Sequence, residues 1–294
     1  MSLTLQGSMT ALITPFRDGA LDEKAFQHLC AWQIDQGTDA LVAVGSTGES
    51  ATLTQDEHKR IIDLCLEVAK GRVPVIAGAY SNATSEAIEL TRYAQKAGAD
   101  AVLQVVPYYN KPTQEGMFQH FKAIHDASDI PIVLYNVPGR VVVDMSAETV
   151  ARLAKLPRVV GIKEAALDLS RPAKTRVLAG EDFVQLSGED AMVIPFLGNG
   201  GHGAISVTAN VAPRLLGELH DAWRAGDLKR ARRINDDLMP LHAALFAETS
   251  PAPAKYAASL LGLCSPEVRL PLAPLMPETQ VQVRAAMRHA RLLN

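Results

Sequence analysis

Lys163 lies at the end of a short apolar run, VVGIKEA at residues 159–165, where a buried strand would leave the core. A neutral lysine amine attacks a ketone or aldehyde carbon and forms a Schiff base, which serves as an electron sink for carbanion chemistry. The amine must first lose its proton, and burial beside Val160 and Ile162 would lower its pKa. Because a lone lysine at a strand end more commonly extends to solvent, the residues around Lys163 must decide between the two interpretations.

Hydroxyl and guanidinium groups follow two other apolar runs. The segment GSTGES at residues 45–50 offers backbone N–H groups in a tight turn and the hydroxyls of Ser46 and Thr47, a combination suited to a small carboxylate. Arg140 follows a Pro-Gly turn, where its guanidinium could hold a second carboxylate through paired hydrogen bonds. The alternatives are an ordinary glycine turn before a helix and a solvated arginine.

Two tyrosines also follow apolar runs, Tyr109 in PYYNKP and Tyr135 in LYNVPGR. Imine formation and aldol addition both require proton transfers, and phenols can carry them, with the Ser46 hydroxyl as a bridge. Packing at an interface or rim is the ordinary alternative for a tyrosine. The sequence therefore predicts carbanion chemistry at Lys163 only if these groups share one site.

Eight short apolar runs, each followed by a longer segment with helical spacing, would bring them together. Most of the runs are continuously apolar, which is typical of strands buried on both faces. The alternation predicts an α/β fold, specifically a (β/α)8 TIM barrel, in which reactive groups lie at the carboxyl ends of the strands. The runs begin at Met9, Ala40, Val73, Asp100, Pro131, Val159, Asp182 and Gly203.

Helix signals complete the predicted organisation. TQDE, which begins at Thr54, matches a capping box, and the strand pattern stops after Val207, leaving helical patterns up to Asn294. We therefore predict a barrel domain with the active site at residues 1–224 and a C-terminal helical domain at residues 225–294. The apolar stripe of the helix after Thr54 is predicted to comprise Ile61, Ile62, Cys65, Leu66 and Ala69.

The composition excludes several classes of function. The 294 residues are 48% hydrophobic with a formal net charge of -3, and no cluster of basic residues is dense enough to indicate nucleic-acid binding. The N-terminus, MSLTLQGSMT, lacks the segments of a signal peptide, and no apolar stretch approaches the roughly 18 residues of a membrane span. Cys30, Cys65 and Cys264 are far apart in the sequence, which favours buried thiols over disulfides. We therefore expect a cytoplasmic protein with no nucleic-acid or membrane partner.

Metal and dinucleotide sites are also disfavoured. The chain has no HExxH motif, and His120 and His125 are spaced wrongly for one helix face, which argues against a zinc-dependent aldolase. GNGGHG at residues 198–203 fits GxGxxG but precedes a predicted strand, whereas a dinucleotide site requires the motif to follow one. We expect no metal and no organic cofactor.

Five motifs, in order and at the expected strand ends, resemble the dihydrodipicolinate synthase family, which belongs to the pyruvate-dependent Schiff-base aldolases of the N-acetylneuraminate lyase type. They are GSTGESATL, PYYNKP, LYNVPGR, GIKEA and GGHGAISVTAN. The resemblance covers essentially the whole chain and implies a lyase with 4-hydroxy-tetrahydrodipicolinate synthase activity. Such an enzyme condenses pyruvate with L-aspartate 4-semialdehyde in lysine and diaminopimelate biosynthesis, and the protonated imine replaces a cofactor.

The resemblance also implies roles for single residues. Lys163 would form the imine with pyruvate, whose carboxylate would rest on the turn of Ser46 and Thr47. Tyr135, Ser46 and Tyr109 would form the proton relay, with Tyr109 reaching into the site of a neighbouring subunit. The family likeness thus implies a homotetramer built as a dimer of dimers.

Further implied residues line the pocket or bind an effector. Gly188 and Ile205 would line the pyruvate pocket, and Arg140 would bind the carboxylate of aspartate semialdehyde. In many family members L-lysine binds at a dimer interface, and a polar contact between subunits explains the same positions equally well. The corresponding residues here are Ser50, Ala51, His58, Asn82, Glu86 and Tyr108.

Two departures from the family pattern keep alternatives open. Ser46 stands where the synthases usually have threonine, and Gln55 replaces a histidine often present near the effector site. Another pyruvate-dependent aldolase of the same fold would keep Lys163, Tyr135 and Thr47 but would use a different aldehyde. A catalytically silent barrel with a binding role would tolerate loss of Lys163, and the fold does not distinguish it.

Overall fold

Eight parallel strands form a closed barrel, which confirms the predicted (β/α)8 fold. The computed structural model describes residues 3–294; Met1 and Ser2, the first residues of the segment considered for a signal peptide, lie outside the described residues. Every predicted apolar run overlaps one barrel strand, although β1 begins at Gly7, before the run predicted from Met9. The strands, in their order around the barrel, are β1 (Gly7–Ala11), β4 (Ala40–Ala43), β5 (Val75–Gly78), β6 (Ala101–Val105), β7 (Ile132–Asn136), β8 (Val159–Glu164), β9 (Val184–Ser187) and β10 (Gly203–Ser206).

Burial of whole strands explains why the runs are continuously apolar. Every residue of β1, β4, β5, β6, β7 and β10 is buried, as expected where side chains fill the barrel on one face and meet helices on the other. A short antiparallel ribbon joins β2 (Phe16–Arg17) to β3 (Ala20–Leu21) before the first helix.

Helices follow the barrel strands and extend to the C-terminus. Four short 3-10 turns lie at Ser46–Gly48, Ser50–Thr52, Asp190–Met192 and Thr208–Asn210. The α-helices are α1 (Glu23–Asp35), α2 (Gln55–Ala69), α3 (Thr84–Ala97), α4 (Gln114–Asp126), α5 (Pro138–Val141), α6 (Ala147–Leu153), α7 (Arg171–Ala179), α8 (Val193–Gly198), α9 (Pro213–Arg224), α10 (Leu228–Ala244), α11 (Ala252–Leu260) and α12 (Pro277–His289).

The start of α2 shows how local sequence sets an element. The Thr54 hydroxyl accepts a hydrogen bond from the Glu57 backbone N–H, and the Glu57 carboxylate accepts one from the Thr54 backbone N–H, so the predicted capping box is present. Four of the five predicted stripe residues are buried, whereas Leu66 is half-buried. The buried apolar face of α2 therefore includes Leu64, which was not predicted, in place of Leu66.

The chain divides into two compact units. One comprises residues 74–205 together with the N-terminal residues up to Gln6, and it holds β5 to β9 and α3 to α8. The other comprises residues 7–73 and 206–294, and it holds β1, β4, α1, α2 and α9 to α12. The predicted division into residues 1–224 and 225–294 stays a prediction.

The burial of the cysteines and the length of the helices bear on two further expectations. Cys30 and Cys65 are buried free thiols, as predicted, whereas Cys264, in the segment after α11, is only half-buried. Among residues 3–294, no helix combines the length and apolar character needed to span a membrane.

Candidate active site

Lys163 occupies the carboxyl-terminal part of β8 and is paired across the sheet with Tyr135 of β7 and with Leu186 of β9. The amine and the phenol predicted to act together therefore lie at the same level of two neighbouring strands. The Lys163 side chain does not extend to solvent, because the residue is only 5% exposed. The interpretation of Lys163 as a solvated strand end is wrong.

Burial changes the proton affinity of this lysine. The pKa of Lys163 is lowered to about 8, first by loss of hydration and then by the nearby positive charge of Arg140, while the carboxylates of Asp190 and Glu189 act in the opposite direction. At pH 7 a pKa near 8 leaves about one amine in ten neutral, against about one in three thousand for an unperturbed lysine. The Nζ atom also lies 4.4 Å from the centroid of the Tyr135 ring, whose negative face attracts the cation.

The two carboxylates near Lys163 were given no role by the sequence. Glu189 and Asp190 follow the end of β9, and Asp190 is buried at the start of a 3-10 turn. Burial and the adjacent Asp190 raise the pKa of Glu189. In the sequence, the position of this acidic pair directly after a strand end was the only indication of a role in the site. Carboxylates with perturbed pKa values in a cleft are typical of functional sites.

Gly188 leaves the space that the Lys163 side chain occupies. A Cβ atom at position 188 would lie 2.8 Å from the Ala165 Cβ and 3.0 Å from the Lys163 Cε. The Gly188 backbone N–H donates a hydrogen bond to the Glu164 carbonyl at 2.7 Å, which fixes this close approach. The structure thus places Gly188 against Lys163, and its role in a pyruvate pocket stays a prediction.

Arg140 and Ile205 occupy different environments. Arg140 is exposed on the short helix α5, close enough for its charge to lower the pKa of Lys163. Ile205 is fully buried on β10. The binding roles predicted for Arg140 and Ile205 stay predictions.

The predicted carboxylate turn lies in the unit that contains β4. Ser46 and Thr47 form a 3-10 turn with Gly48, and the Thr14 hydroxyl donates a 2.7 Å hydrogen bond to the Gly48 carbonyl. A Cβ atom at Gly48 would lie 3.2 Å from both the Leu12 carbonyl and the Thr14 hydroxyl. A Cβ here would make a tight contact with both oxygens, so glycine suits the close packing of this turn.

Tyr109 is not part of a buried site within its own chain. Its side chain is 90% exposed, and its backbone has a φ of +68°. Large residues rarely adopt this left-handed conformation, and it persists where surrounding structure requires it. The role predicted for Tyr109 in the site of a neighbouring subunit stays a prediction.

The residues predicted to bind an effector are divided between the two units, and their role stays a prediction. Glu86 accepts a hydrogen bond from the Ser81 hydroxyl, and the Asn82 carbonyl accepts one from the Asn110 side chain. His58 is buried on α2. The unit of residues 74–205 holds Asn82, Glu86 and Tyr108, and the other unit holds Ser50, Ala51 and His58.

A largely buried polar network lies behind the two strand ends, and no sequence motif indicated it. Asn136 follows Tyr135, and Glu164 follows Lys163; because side chains alternate along a strand, these two point away from the amine and the phenol. Asn136 Nδ2 donates to Glu164 at 2.9 Å, and Arg171 Nε donates to the same carboxylate at 2.8 Å.

The network extends to the loop after α5. Asp144 accepts hydrogen bonds from Asn136 at 2.7 Å and from Arg171 at 3.0 Å. Burial raises the pKa of Glu164, while the Arg171 charge opposes that effect. Asn136, Glu164 and Arg171 are buried, whereas Asp144 is partly exposed. Connected polar groups of this kind make a structure more rigid, so the cluster helps to hold the ends of β7 and β8 in place.

A buried lysine with a pKa near 8, beside a phenol at the end of a strand in a (β/α)8 barrel, is the arrangement of a lyase of the class I aldolase type. Comparison with known proteins identifies the family. A model of the Dihydrodipicolinate synthetase family matches residues 4–290, and the chain belongs to this family.

Relatives and solved structures agree with this assignment. The 4-hydroxy-tetrahydrodipicolinate synthase of Rhodospirillum centenum is 62% identical over 98% of this chain and 99% of its own. The chloride-inhibited dihydrodipicolinate synthase of Acinetobacter baumannii, solved with pyruvate, has a TM-score of 0.96 and 44% identity over 99% of this chain and 100% of its own. DHDPS from Cyanidioschyzon merolae, solved with lysine bound, has a TM-score of 0.96 and 41% identity over 98% of this chain and 99% of its own.

Proposed function

We propose that this protein is a 4-hydroxy-tetrahydrodipicolinate synthase, a lyase that condenses pyruvate with L-aspartate 4-semialdehyde in lysine and diaminopimelate biosynthesis. The observation that carries the proposal is the buried Lys163, whose pKa is lowered to about 8 and whose Nζ lies 4.4 Å from the Tyr135 ring centroid. The names of the relatives and their coverage of nearly the whole chain support the choice of substrates.

The reaction begins at the amine. The neutral Nζ of Lys163 attacks the C2 carbonyl carbon of pyruvate, and the resulting carbinolamine loses water to give a protonated imine. Removal of a proton from C3 moves the C3–H electron pair toward the imine nitrogen and gives an enamine. No other electron sink is needed for this step.

The enamine C3 then forms a bond to the aldehyde carbon of aspartate semialdehyde, and the aldehyde oxygen takes up a proton. The amino group of the added substrate attacks the imine carbon, the ring closes, and the C2–Nζ bond to Lys163 breaks. The enzyme is regenerated, and one water is released for each pair of substrates. The proton transfers require an acid–base group at the amine, a role that we assign to Tyr135.

Other residues are assigned to binding the two substrates. We assign the pyruvate carboxylate to the turn of Ser46 and Thr47, because backbone N–H groups in a tight turn and two hydroxyls suit a small anion. Gly188 and Ile205 are assigned to the wall of the pyruvate pocket, and Arg140 to the carboxylate of the semialdehyde. In parallel barrels the groups that act together come from the carboxyl ends of several strands.

Tyr109 is assigned to the site of a neighbouring subunit, where it completes the proton relay with Ser46 and Tyr135. Its 90% exposure and left-handed backbone support this assignment, since both suit a ring held for contact outside its own chain. We propose a homotetramer, built as a dimer of dimers, in the cytoplasm. Sedimentation velocity tests the assembly, and Tyr109→Ala is expected to lower turnover without changing the fold of one chain.

L-Lysine is proposed as a feedback effector because a relative has been solved with lysine bound. The binding residues would be Ser50, Ala51, His58, Asn82, Glu86 and Tyr108. Glu86 would supply negative charge for the ligand amine. Calorimetry with millimolar lysine tests the proposal, and Glu86→Gln is expected to weaken binding; turnover unaffected by lysine would refute it.

The experiment that tests the central proposal uses one preparation for two measurements. Borohydride is added with pyruvate, and the reduced adduct is located by mass spectrometry of peptides; turnover with aspartate semialdehyde is then measured in a coupled assay. The expected result is an adduct on Lys163 together with turnover. An adduct without turnover would indicate another pyruvate aldolase, and no adduct would refute Schiff-base chemistry. Lys163→Met is the control for both measurements.

A further inference from the structure

A buried ion pair joins the predicted carboxylate turn to the C-terminal helices. Lys255 Nζ lies 2.7 Å from Glu49 Oε1, and their side chains are 0% and 2% exposed. Burying two charges costs desolvation free energy that mutual attraction does not always recover. Because a buried ion pair is weak evidence for stability, the Lys255–Glu49 pair is a candidate for another role.

Hydrogen-bond donors and an aromatic ring surround the Lys255–Glu49 ion pair. The Arg269 backbone N–H donates to Glu49 Oε2 at 3.0 Å, so both carboxylate oxygens accept hydrogen bonds. Lys255 Nζ and the Arg269 guanidinium each lie 4.1 Å from the centroid of the Phe16 ring. Burial lowers the pKa of Lys255, and the Glu49 charge opposes that effect. Glu49 is therefore held by two segments that lie far from it in the chain.

Glu49 in turn sets the end of the Ser46–Gly48 turn. Its backbone N–H donates to the Ser46 carbonyl at 3.1 Å, and its φ of +54° places it in the left-handed region. A residue with a side chain adopts that conformation only where its surroundings compensate for the strain. The other anchor is the Thr14 hydroxyl, which donates to the Gly48 carbonyl.

We infer that Lys255 is a positioning residue for substrate binding: through Glu49 it holds the Ser46–Gly48 turn in the conformation that receives the pyruvate carboxylate. The inference rests on the proposed function of Ser46 and Thr47. It gives the C-terminal helices a part in binding the first substrate, although Lys255 itself does not contact that substrate.

A merely structural ion pair would behave differently from a positioning one. Loss of a structural pair lowers the melting temperature and leaves the kinetic constants of the folded enzyme unchanged. Loss of a positioning pair shifts the turn and weakens pyruvate binding in the molecules that remain folded. Misplacement by about 1 Å can cost up to about a hundredfold in rate or affinity.

The test compares Lys255→Met with Arg269→Met in the full chain. Arg269→Met removes the other cation packed on Phe16, with its hydrogen bonds to Thr52 and Glu57. It keeps the backbone N–H that binds Glu49, so it controls for loss of a neighbouring cation. For Lys255→Met we expect the KM for pyruvate to rise about tenfold or more, with the KM for the semialdehyde changed less than about threefold. Arg269→Met is expected to change the pyruvate KM less than about threefold.

Two further measurements keep the test decisive. If Lys255→Met does not fold, Glu49→Gln, which preserves the side-chain volume, is expected to give the same selective rise in the pyruvate KM. An unchanged pyruvate KM in a folded Lys255→Met or Glu49→Gln variant would overturn the inference. Failure of the unmodified enzyme to form the pyruvate adduct would instead refute the proposed function, so the two failures are distinguishable.

Discussion

The pH dependence of imine formation should report the pKa of Lys163 directly. In the proposed mechanism only the neutral amine attacks pyruvate, so the rate should rise with pH, pass its midpoint near the pKa of about 8, and level off above it. Each unit below the midpoint lowers the rate about tenfold. An unperturbed lysine would instead place the midpoint near its ordinary pKa of about 10.4.

Two variants should move this midpoint in opposite directions. The Asp190 carboxylate raises the pKa of Lys163, and the Arg140 cation lowers it. Asp190→Asn is therefore expected to lower the midpoint, and Arg140→Gln is expected to raise it. Because about a tenth of the amine is already neutral at pH 7, the lower midpoint can increase the rate at that pH by no more than about tenfold.

The assay measures pyruvate imine alone, without the semialdehyde, so that the expected role of Arg140 in binding the second substrate does not enter. Samples are mixed with saturating pyruvate from pH 6 to 10, quenched with borohydride at timed intervals, and measured as intact mass. A midpoint near 10 in the unmodified enzyme would refute burial as the cause of activation. Shifts in the same direction for both variants would refute the electrostatic assignment.

Three further predictions concern the groups around the amine. Gly188→Ala is expected to lower turnover in the coupled assay by about a hundredfold, because the added Cβ would press on the Lys163 side chain. Gly217→Ala is the control and should leave turnover unchanged, since its added Cβ would lie 3.5 Å from the nearest atom outside its own helix. Tyr135→Phe is expected to lower kcat by about a hundredfold or more while trapping still yields the adduct at equilibrium; unchanged kcat would remove this phenol from the relay. Arg171→Met leaves Glu164 buried without its cation and is expected to reduce the free energy of unfolding by about 3 kcal/mol, measured by urea denaturation; a loss below about 1 kcal/mol would contradict it.

Local sequence pattern was sufficient for the barrel and for the place of its reactive groups. Continuous apolar runs predict strands buried on both faces, and Lys163 is buried because it ends one of them. The same pattern placed the phenol of Tyr135 at a neighbouring strand end. These features depend on residues close together in the chain, so periodicity reveals them.

Features that depend on distant contacts were not predictable in this way. Glu164 lies in a predicted strand run and Arg171 follows it, and only folding shows that the two form a buried pair. Gly188 was expected near the pocket from the family resemblance alone, and the structure supplies the reason in its close approach to Lys163. The exposure of Tyr109 likewise has no signature in the sequence, because an aromatic residue near proline and asparagine fits a buried rim equally well.

The hydrogen bond from Lys255 to Glu49 joins positions that are 206 residues apart. During synthesis the N-terminal part of the chain emerges first. The Glu49 carboxylate can pair with Lys255 only after nearly the whole polypeptide has been made. Bringing together two residues so far apart in the chain costs conformational entropy. The contact between Lys255 and Glu49 is therefore expected to form later than the contacts within single helices. The turn to which we assign the pyruvate carboxylate would therefore be completed late, and a ribosome-bound or prematurely terminated chain would lack it even after its first strands had paired.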